Sequence, residues 1–285
     1  MTQLWLIVNR ASGSFDETII ERVLEAAQRS GGTLANVIAL PDDDLPTREA
    51  LEAAGVDMLA IYTGDGTING TCAKIGEWGG RVLVLPGGTM NLLSRRLHGE
   101  DADPAEIVAR ALAAPDRTQP VTVLESDDPE LDVTGLVGAF VGPTTAWGDV
   151  REVLRHRDIG GLLEAIPRAV RETFGGDQVF VAGSDQTYPA IYVEPVDGKL
   201  DLMGYSADGA GDLLSHGFAW MGGDFRNGPH DDLGSCTEVT IDSEAGTVGL
   251  LVDGERGEAA TPLVLRARTS PLRFVATRSG ASASA

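Results

Sequence analysis

Ile61-Tyr62-Thr63-Gly64-Asp65-Gly66-Thr67 is an apolar run that passes directly into a Gly-Asp-Gly-Thr turn and then into residues able to continue as a helix. The turn reads as a phosphate site. Glycines on both sides of an acid let backbone N–H groups approach an anion, Asp65 is placed to hold a divalent cation, and Thr67 falls where a helix begins. The same tripeptide also makes a plain tight turn, and taken alone it leaves both readings open. Two further loops change the weighting: Pro86-Gly87-Gly88-Thr89-Met90-Asn91 follows the next apolar run, and Asn9-Arg10-Ala11-Ser12-Gly13 follows the first.

Working outward, Leu4-Trp5-Leu6-Ile7-Val8 has the unbroken apolar character of a buried parallel strand. Ser14 with Glu17 predicts a capping box for a helix carrying Ile19, Ile20, Val23, Leu24 and Ala27 on one face and stopping at Gly31-Gly32. A strand at about 34–40, a short helix closed by Gly55, the strand 58–62, a helix to Ile75, the strand 82–85, a helix at 91–97 and one opened by Pro104 follow. Strands and helices alternate without hairpin signals, which predicts an α/β domain with a parallel sheet covered on both faces. All three glycine-bearing loops then leave the carboxyl ends of their strands, the edge at which open parallel sheets bind ligands.

From about Val121 the texture changes to short strands, at 121–125, 133–141, 179–182, 190–193 and 200–205, then 239–241, 248–252, 263–266 and 272–275. A helical insert at 149–174 and a shorter helix at 212–220 interrupt them. The insert carries Arg151, Arg155, His156, Arg157, Arg168 and Arg171 among apolar residues, so it can be read as a membrane-facing amphipathic pair or as a helical layer covering the sheet. The expected organisation is a nucleotide-binding α/β domain at 1–118, a β-rich domain at 119–268, and a disordered tail at 279–285.

The chain has 285 residues, enough for two cores. Its formal charge of -21 argues against a nucleic-acid partner, which would call for a basic footprint. Cys72 and Cys236 lie far apart, no Cys/His spacing suggests zinc, and no apolar run is long enough to span a bilayer. These features predict a cytoplasmic protein. Arg10 and the Arg95-Arg96 pair are the cations nearest the loops in sequence, able to neutralise phosphate or simply to be solvated.

Asn9-x-x-Ser12-Gly13, Gly64-Asp65-Gly66-Thr67, Pro86-x-Gly88-Thr89-x-Asn91 and the distant Asp253-Gly254-Glu255 together resemble the diacylglycerol kinase catalytic family, which includes sphingosine, ceramide and bacterial lipid kinases and is more distantly similar to NAD kinases. Asp197-Gly198-x-Leu200-Asp201 also looks like a second-domain segment of the bacterial members, so the resemblance extends over nearly the whole chain. It implies an NAD-kinase-like first domain, a β-sandwich-like second domain whose last segment, about 269–278, returns to the first, and a nucleotide and lipid site in the cleft between them. It implies ATP and Mg²⁺, a membrane lipid bearing a free hydroxyl (diacylglycerol, ceramide or a sphingoid base), and transient contact with the inner membrane surface.

Carried over by residue, Asn9, Arg10, Ser12, Gly13, Thr63, Gly64, Asp65, Gly66, Thr67, Gly88, Thr89 and Asn91 would line the nucleotide. Asp65 and Asp197 would serve the metal, and Asp253 and Glu255, with Asp65, the catalysis. Three positions depart from the family's habit: Thr63 stands for Gly, Gly70 for Glu and Leu92 for Asp. Read without the resemblance, Asp253-Gly254-Glu255 is first a hairpin turn. An NAD-kinase-like enzyme and a nucleotide-binding regulator without catalysis are the alternatives. The retained acids count against the second, and Pro86-x-Gly88-Thr89-x-Asn91 against the first. His156-Arg157-Asp158 copies a protein-kinase tripeptide but lacks its companion motifs, and there is no Walker lysine. Met221-Gly222-Gly223-Asp224 reads as a surface turn or a further loop for the acceptor.

Overall fold

The computed structural model describes residues 1–12, 15–88, 91–100, 102–128, 131, 133–142, 178–205 and 230–278. The helical segments expected at 149–174 and 212–220, the 221–224 turn, the 279–285 tail, and Gly13, Ser14 and Thr89 lie outside the described residues. The chain divides into two compact units, residues 1–121 with 270–285, and residues 122–269.

The first unit runs β1 (Thr2–Asn9), α1 (Ile19–Arg29), β2 (Gly32–Leu40), α2 (Arg48–Ala53), β3 (Met58–Thr63), α3 (Asp65–Ile75), β4 (Arg81–Pro86), α4 (Leu92–His98), α5 (Pro104–Ala113) and β5 (Thr118–Gln119). β1 pairs in parallel with both β2 and β3, and β3 in parallel with β4, as the alternation of elements predicts. Every residue of β3 is buried, because a central parallel strand covered on both faces has no solvent side. α1 and α5 cover one face: Ile19, Val23, Ala26 and Ala27 of α1 and Ile107, Val108, Ala111 and Leu112 of α5 join Leu4, Leu6, Val8, Met58, Ala60 and Tyr62 in one apolar cluster.

α1 begins later than the expected capping box. Glu17 precedes the N-cap Thr18, and the Asp16 carboxylate organises the entry by accepting from Thr18 N and Oγ1 at 2.9 and 2.8 Å. α5 has the more complete cap, with Pro104 at its first position and Asp103 Oδ1 accepting from Ala105 N at 2.9 Å and Glu106 N at 3.2 Å.

The second unit contains β6 (Thr122–Ser126), β7 (Thr134–Gly135), β8 (Ala139–Gly142), β9 (Val179–Val181), β10 (Thr187–Tyr188), β11 (Ala190–Val196), β12 (Lys199–Tyr205), β13 (Asp231–Cys236), β14 (Glu238–Ser243), β15 (Thr247–Val252), β16 (Glu255–Ala260) and β17 (Leu263–Thr269). They form two antiparallel sheets, β10-β9-β14-β17-β6-β7 and β13-β12-β11-β8-β15-β16. Leu124, Val179, Ile241 and Leu265 from one sheet share a core with Val141, Ile191, Val193, Leu202 and Leu250 from the other, the layering of a β-sandwich. The chain then returns: β18 (Arg273–Val275) lies parallel to β4 and antiparallel to β5, closing the order β2-β1-β3-β4-β18-β5. The strand expected at 272–275 is thus part of the first unit's sheet.

Two departures from the strand pattern have physical causes. The single strand expected at 133–141 is broken into β7 and β8, because the N–H groups of residues 136–138 bond to the Asp253 carboxylate instead of continuing a ladder. β13 and β16, absent from the sequence reading, are the two edges of their sheet. Their sequences, DDLGSC and ERGEAA, are mostly polar and exposed, as edges that must discourage further pairing often are.

Candidate active site

In the order β2-β1-β3-β4, the connections leave β1 in opposite directions, so the crevice at the carboxyl ends of β1 and β3 is the topological switch point of the sheet. Asn9, Gly64 and Gly88 all lie along this edge. After β1, Asn9 Oδ1 accepts from Ala11 N at 3.0 Å and its carbonyl accepts from Ser12 N at 3.1 Å, folding residues 9–12 into a compact turn. Arg10 N–H is tied to the Leu40 carbonyl at 2.9 Å, and its exposed guanidinium stands 3.8 Å from Asp42.

The loops after β3 and β4 pack backbone against backbone. A Cβ on Gly88 would stand 2.6 Å from Gly64 Cα, and one on Gly87 would stand 2.4 Å from the Tyr62 carbonyl carbon. These glycines are therefore required first by the contact between the two turns, a requirement the phosphate reading did not include. Asn91, at φ 52°, closes the second loop: its Oδ1 accepts from Gly88 N at 2.6 Å and its Nδ2 donates to Gly88 O at 3.0 Å. The Asn91 amide thus builds the loop.

Asp65 is the first residue of α3, whose N-cap is Gly64 and has no side chain to satisfy the opening N–H groups. Its half-buried carboxylate reaches toward the start of α4, accepting from Leu92 N at 3.3 Å and Leu93 N at 3.5 Å. Burial raises the Asp65 carboxyl above its ordinary value, and the Leu92 and Leu93 N–H groups and the Arg96 charge oppose that rise. The bonds are long, and a carboxylate held half-buried on such weak partners fits a divalent cation, which needs only one or two protein carboxylates when phosphate and water complete its shell. Among the described residues no group of three or more His, Cys, Asp or Glu side chains is assembled for a metal.

Thr63 is fully buried at the end of β3, its Oγ1 donating to Gly64 O at 3.3 Å. Thr67 O accepts from Thr71 Oγ1 at 2.7 Å inside α3. Of the three departures, Gly70 is exposed and a Cβ there would meet nothing within 4 Å, so the helix has room at that position for a longer side chain. Leu92 contributes its backbone N–H to Asp65. That role needs no particular side chain and so leaves no mark in the sequence. Arg95 is paired with Glu100 at 2.6 Å, leaving Arg96 as the member of that pair acting on Asp65.

The remaining candidates belong to the second unit. Asp197, at φ 46°, is exposed in the hairpin turn between β11 and β12. Asp253 and Gly254, at φ 48° and 89°, make the turn between β15 and β16, with Val252 and Glu255 as the last pair of the ladder. Asp253 is buried with its carboxylate on the N–H groups of Leu136, Val137 and Gly138, whereas Glu255 is exposed. The two acids therefore have opposite environments.

A parallel α/β unit with two glycine loops packed together at the carboxyl edge of its sheet, joined in one chain to an antiparallel β unit, defines the class. Residues 3–125 match the family model of the diacylglycerol kinase catalytic domain, the family that the loop motifs resemble. No curated protein sequence matches the chain. Among solved structures, a diacylglycerol kinase from Bacillus anthracis strain Sterne has the same fold, with a TM-score of 0.61, 14% identity and 96% of each chain covered. Two structures from the same organism, provisionally assigned as diacylglycerol kinases, give TM-scores of 0.60 at 17% and 16% identity, covering 96% of this chain and 95% and 97% of theirs. No described helix is long and apolar enough to cross a membrane.

Proposed function

We propose that the chain is an ATP-dependent lipid kinase that transfers the γ-phosphoryl group to a free hydroxyl of diacylglycerol, ceramide or a sphingoid base. The observation that carries this reading is the Gly64–Gly88 contact, which sets the uncapped start of α3 and the Asp65 carboxylate side by side at the switch point of the sheet. Phosphoryl transfer asks the protein for alignment and charge neutralisation more than for covalent chemistry. In this reading the backbone N–H groups at the start of α3 and the Asn9–Ser12 turn hold phosphate oxygens, with Arg96 and Arg10 adding positive charge. Asp65 is the residue that would hold Mg²⁺, which when bound supplies charge neutralisation on the phosphates. Asp197, at an exposed turn, is the second metal candidate. The Asp253-Gly254-Glu255 turn serves the acceptor hydroxyl, and the enzyme works at the cytoplasmic membrane surface where its substrate lies.

The test is transfer of label from ATP to detergent-dispersed diacylglycerol, ceramide, sphingosine and phosphatidylglycerol, with NAD as a soluble acceptor and Asp65→Ala as the blank. Label in one lipid that disappears in the blank is the expected result. Label in NAD alone, or in no acceptor, refutes the lipid-kinase reading.

A further inference from the structure

An Asp-Gly pair with both residues at positive φ is sufficient for the β15–β16 turn. The Asp253 side chain does something the turn does not require. Its Oδ2 accepts from Leu136 N at 2.7 Å, and its Oδ1 accepts from Val137 N at 2.9 Å and Gly138 N at 3.0 Å. Its own N–H donates to Gly138 O at 3.0 Å, one step beyond the last ladder pair of Val252 with Ala139. Three successive backbone N–H groups form a concave nest of the kind that binds anions, and the anion in this one is a side chain of the same chain.

The nest is fixed from its other side as well. A Cβ on Gly138 would stand 2.3 Å from Tyr192 Oη, and that hydroxyl donates to the Val137 carbonyl at 3.3 Å. Asp253 is only 9% exposed, so water competes little for these bonds.

We propose that Asp253 is a positioning residue: its carboxylate clamps the 136–138 turn to the β15–β16 hairpin and so sets the backbone that presents the exposed Glu255. The catalytic part of this inference rests on the lipid-kinase reading; the clamp itself does not. A general base must take up a proton in the transition state, and a proton on this carboxylate would remove the charge that strengthens its three N–H bonds and compete with them for the oxygen it occupies. Asp253 and Glu255, equivalent in the sequence, thus divide into a residue that holds the turn and one that the turn presents.

The test combines amide hydrogen exchange with kinetics on the full chain and its Asp253→Asn variant. In the wild type the Leu136, Val137 and Gly138 amides exchange slowly, and in Asp253→Asn their protection falls at least tenfold while the core of the second unit stays protected. Lipid phosphorylation falls by about tenfold to a hundredfold through kcat, and the residual activity keeps the wild-type acidic limb of its pH profile. A variant that no longer folds also marks the carboxylate as structural, since removal of a base alone leaves the fold intact. Unchanged protection at 136–138, or residual activity that has lost the acidic limb, overturns the proposal. If the wild type phosphorylates no lipid, the functional reading fails and the amide-exchange comparison still decides the clamp.

Discussion

Gly88→Ala tests whether the proposed nucleotide edge depends on two loops touching through their backbones. The added Cβ would lie 2.6 Å from Gly64 Cα, where ordinary carbon contacts begin near 3.5 Å, so the loops must separate by roughly 1 Å. Gly88 cannot move alone, because Asn91 holds its N–H and carbonyl at 2.6 and 3.0 Å and leads directly into α4. Displacing that start also lengthens the Leu92 N to Asp65 contact, already 3.3 Å. Overpacking of this kind costs about 1–3 kcal/mol, and a lost loop hydrogen bond adds about 1 kcal/mol, for an expected destabilisation of about 2–4 kcal/mol. Urea unfolding measures it, and calorimetric titration with ATP and Mg²⁺ should show affinity reduced by tenfold or more. Gly70→Ala is the control: it is exposed in the middle of α3 with open space at its Cβ, and should stabilise by about 0.5–1 kcal/mol. Gly88→Ala within 0.5 kcal/mol of wild type and unchanged in nucleotide affinity would refute the reasoning.

Three further outcomes follow from single groups. His98 is buried with Nδ1 2.9 Å from Thr277 Oγ1, and burial pushes its imidazole from 6.5 down to about 4. The unfolded chain therefore takes up this proton first as pH falls through 6.5, so its contribution to stability is lost between pH 6.5 and 4, by about 2–3 kcal/mol. Urea unfolding at pH 7.5 and 4.5 should show His98→Gln losing less over that interval than the wild type; an equal loss contradicts the assignment. Asp103→Ala removes two cap bonds on α5 and the ion pair with Arg22, and should lower the urea midpoint by the equivalent of about 1–2 kcal/mol. Asp65→Asn keeps the shape of the α4 contact while removing the charge, so it should bind ATP alone nearly as the wild type does and lose most of the gain that Mg²⁺ provides, read by titration with and without the metal.

The first unit was legible because its signals are local. An unbroken apolar run such as Met58 to Tyr62 marks a buried parallel strand by itself, and a glycine-bearing loop after each of β1, β3 and β4 places three turns on one edge once the sheet is known to be parallel. What escaped the sequence depends on partners far along the chain. The break at 136–138 exists because Asp253 lies opposite, 115 residues or more away, and nothing in Leu136-Val137-Gly138 announces it. β13 and β16 were missed because an edge strand has little apolar area to bury, so its sequence lacks the alternation that identifies a strand. In the site, Gly88 was recognisable as a glycine that matters while Gly87 was a free position of the motif; the reason for both is steric contact with Gly64 and Tyr62, which no loop motif states. The Leu92 and Leu93 partners of Asp65 act through backbone N–H groups and have no side-chain signature.

The most direct measurement of the central claim is amide hydrogen exchange across the first unit with and without ATP and Mg²⁺. The account predicts slowed exchange concentrated at residues 9–12, 63–67 and 86–92, and its loss in Asp65→Ala when the metal is present. Slowed exchange confined to other segments, or identical protection in the variant, would contradict a nucleotide site at the carboxyl edge of β1, β3 and β4.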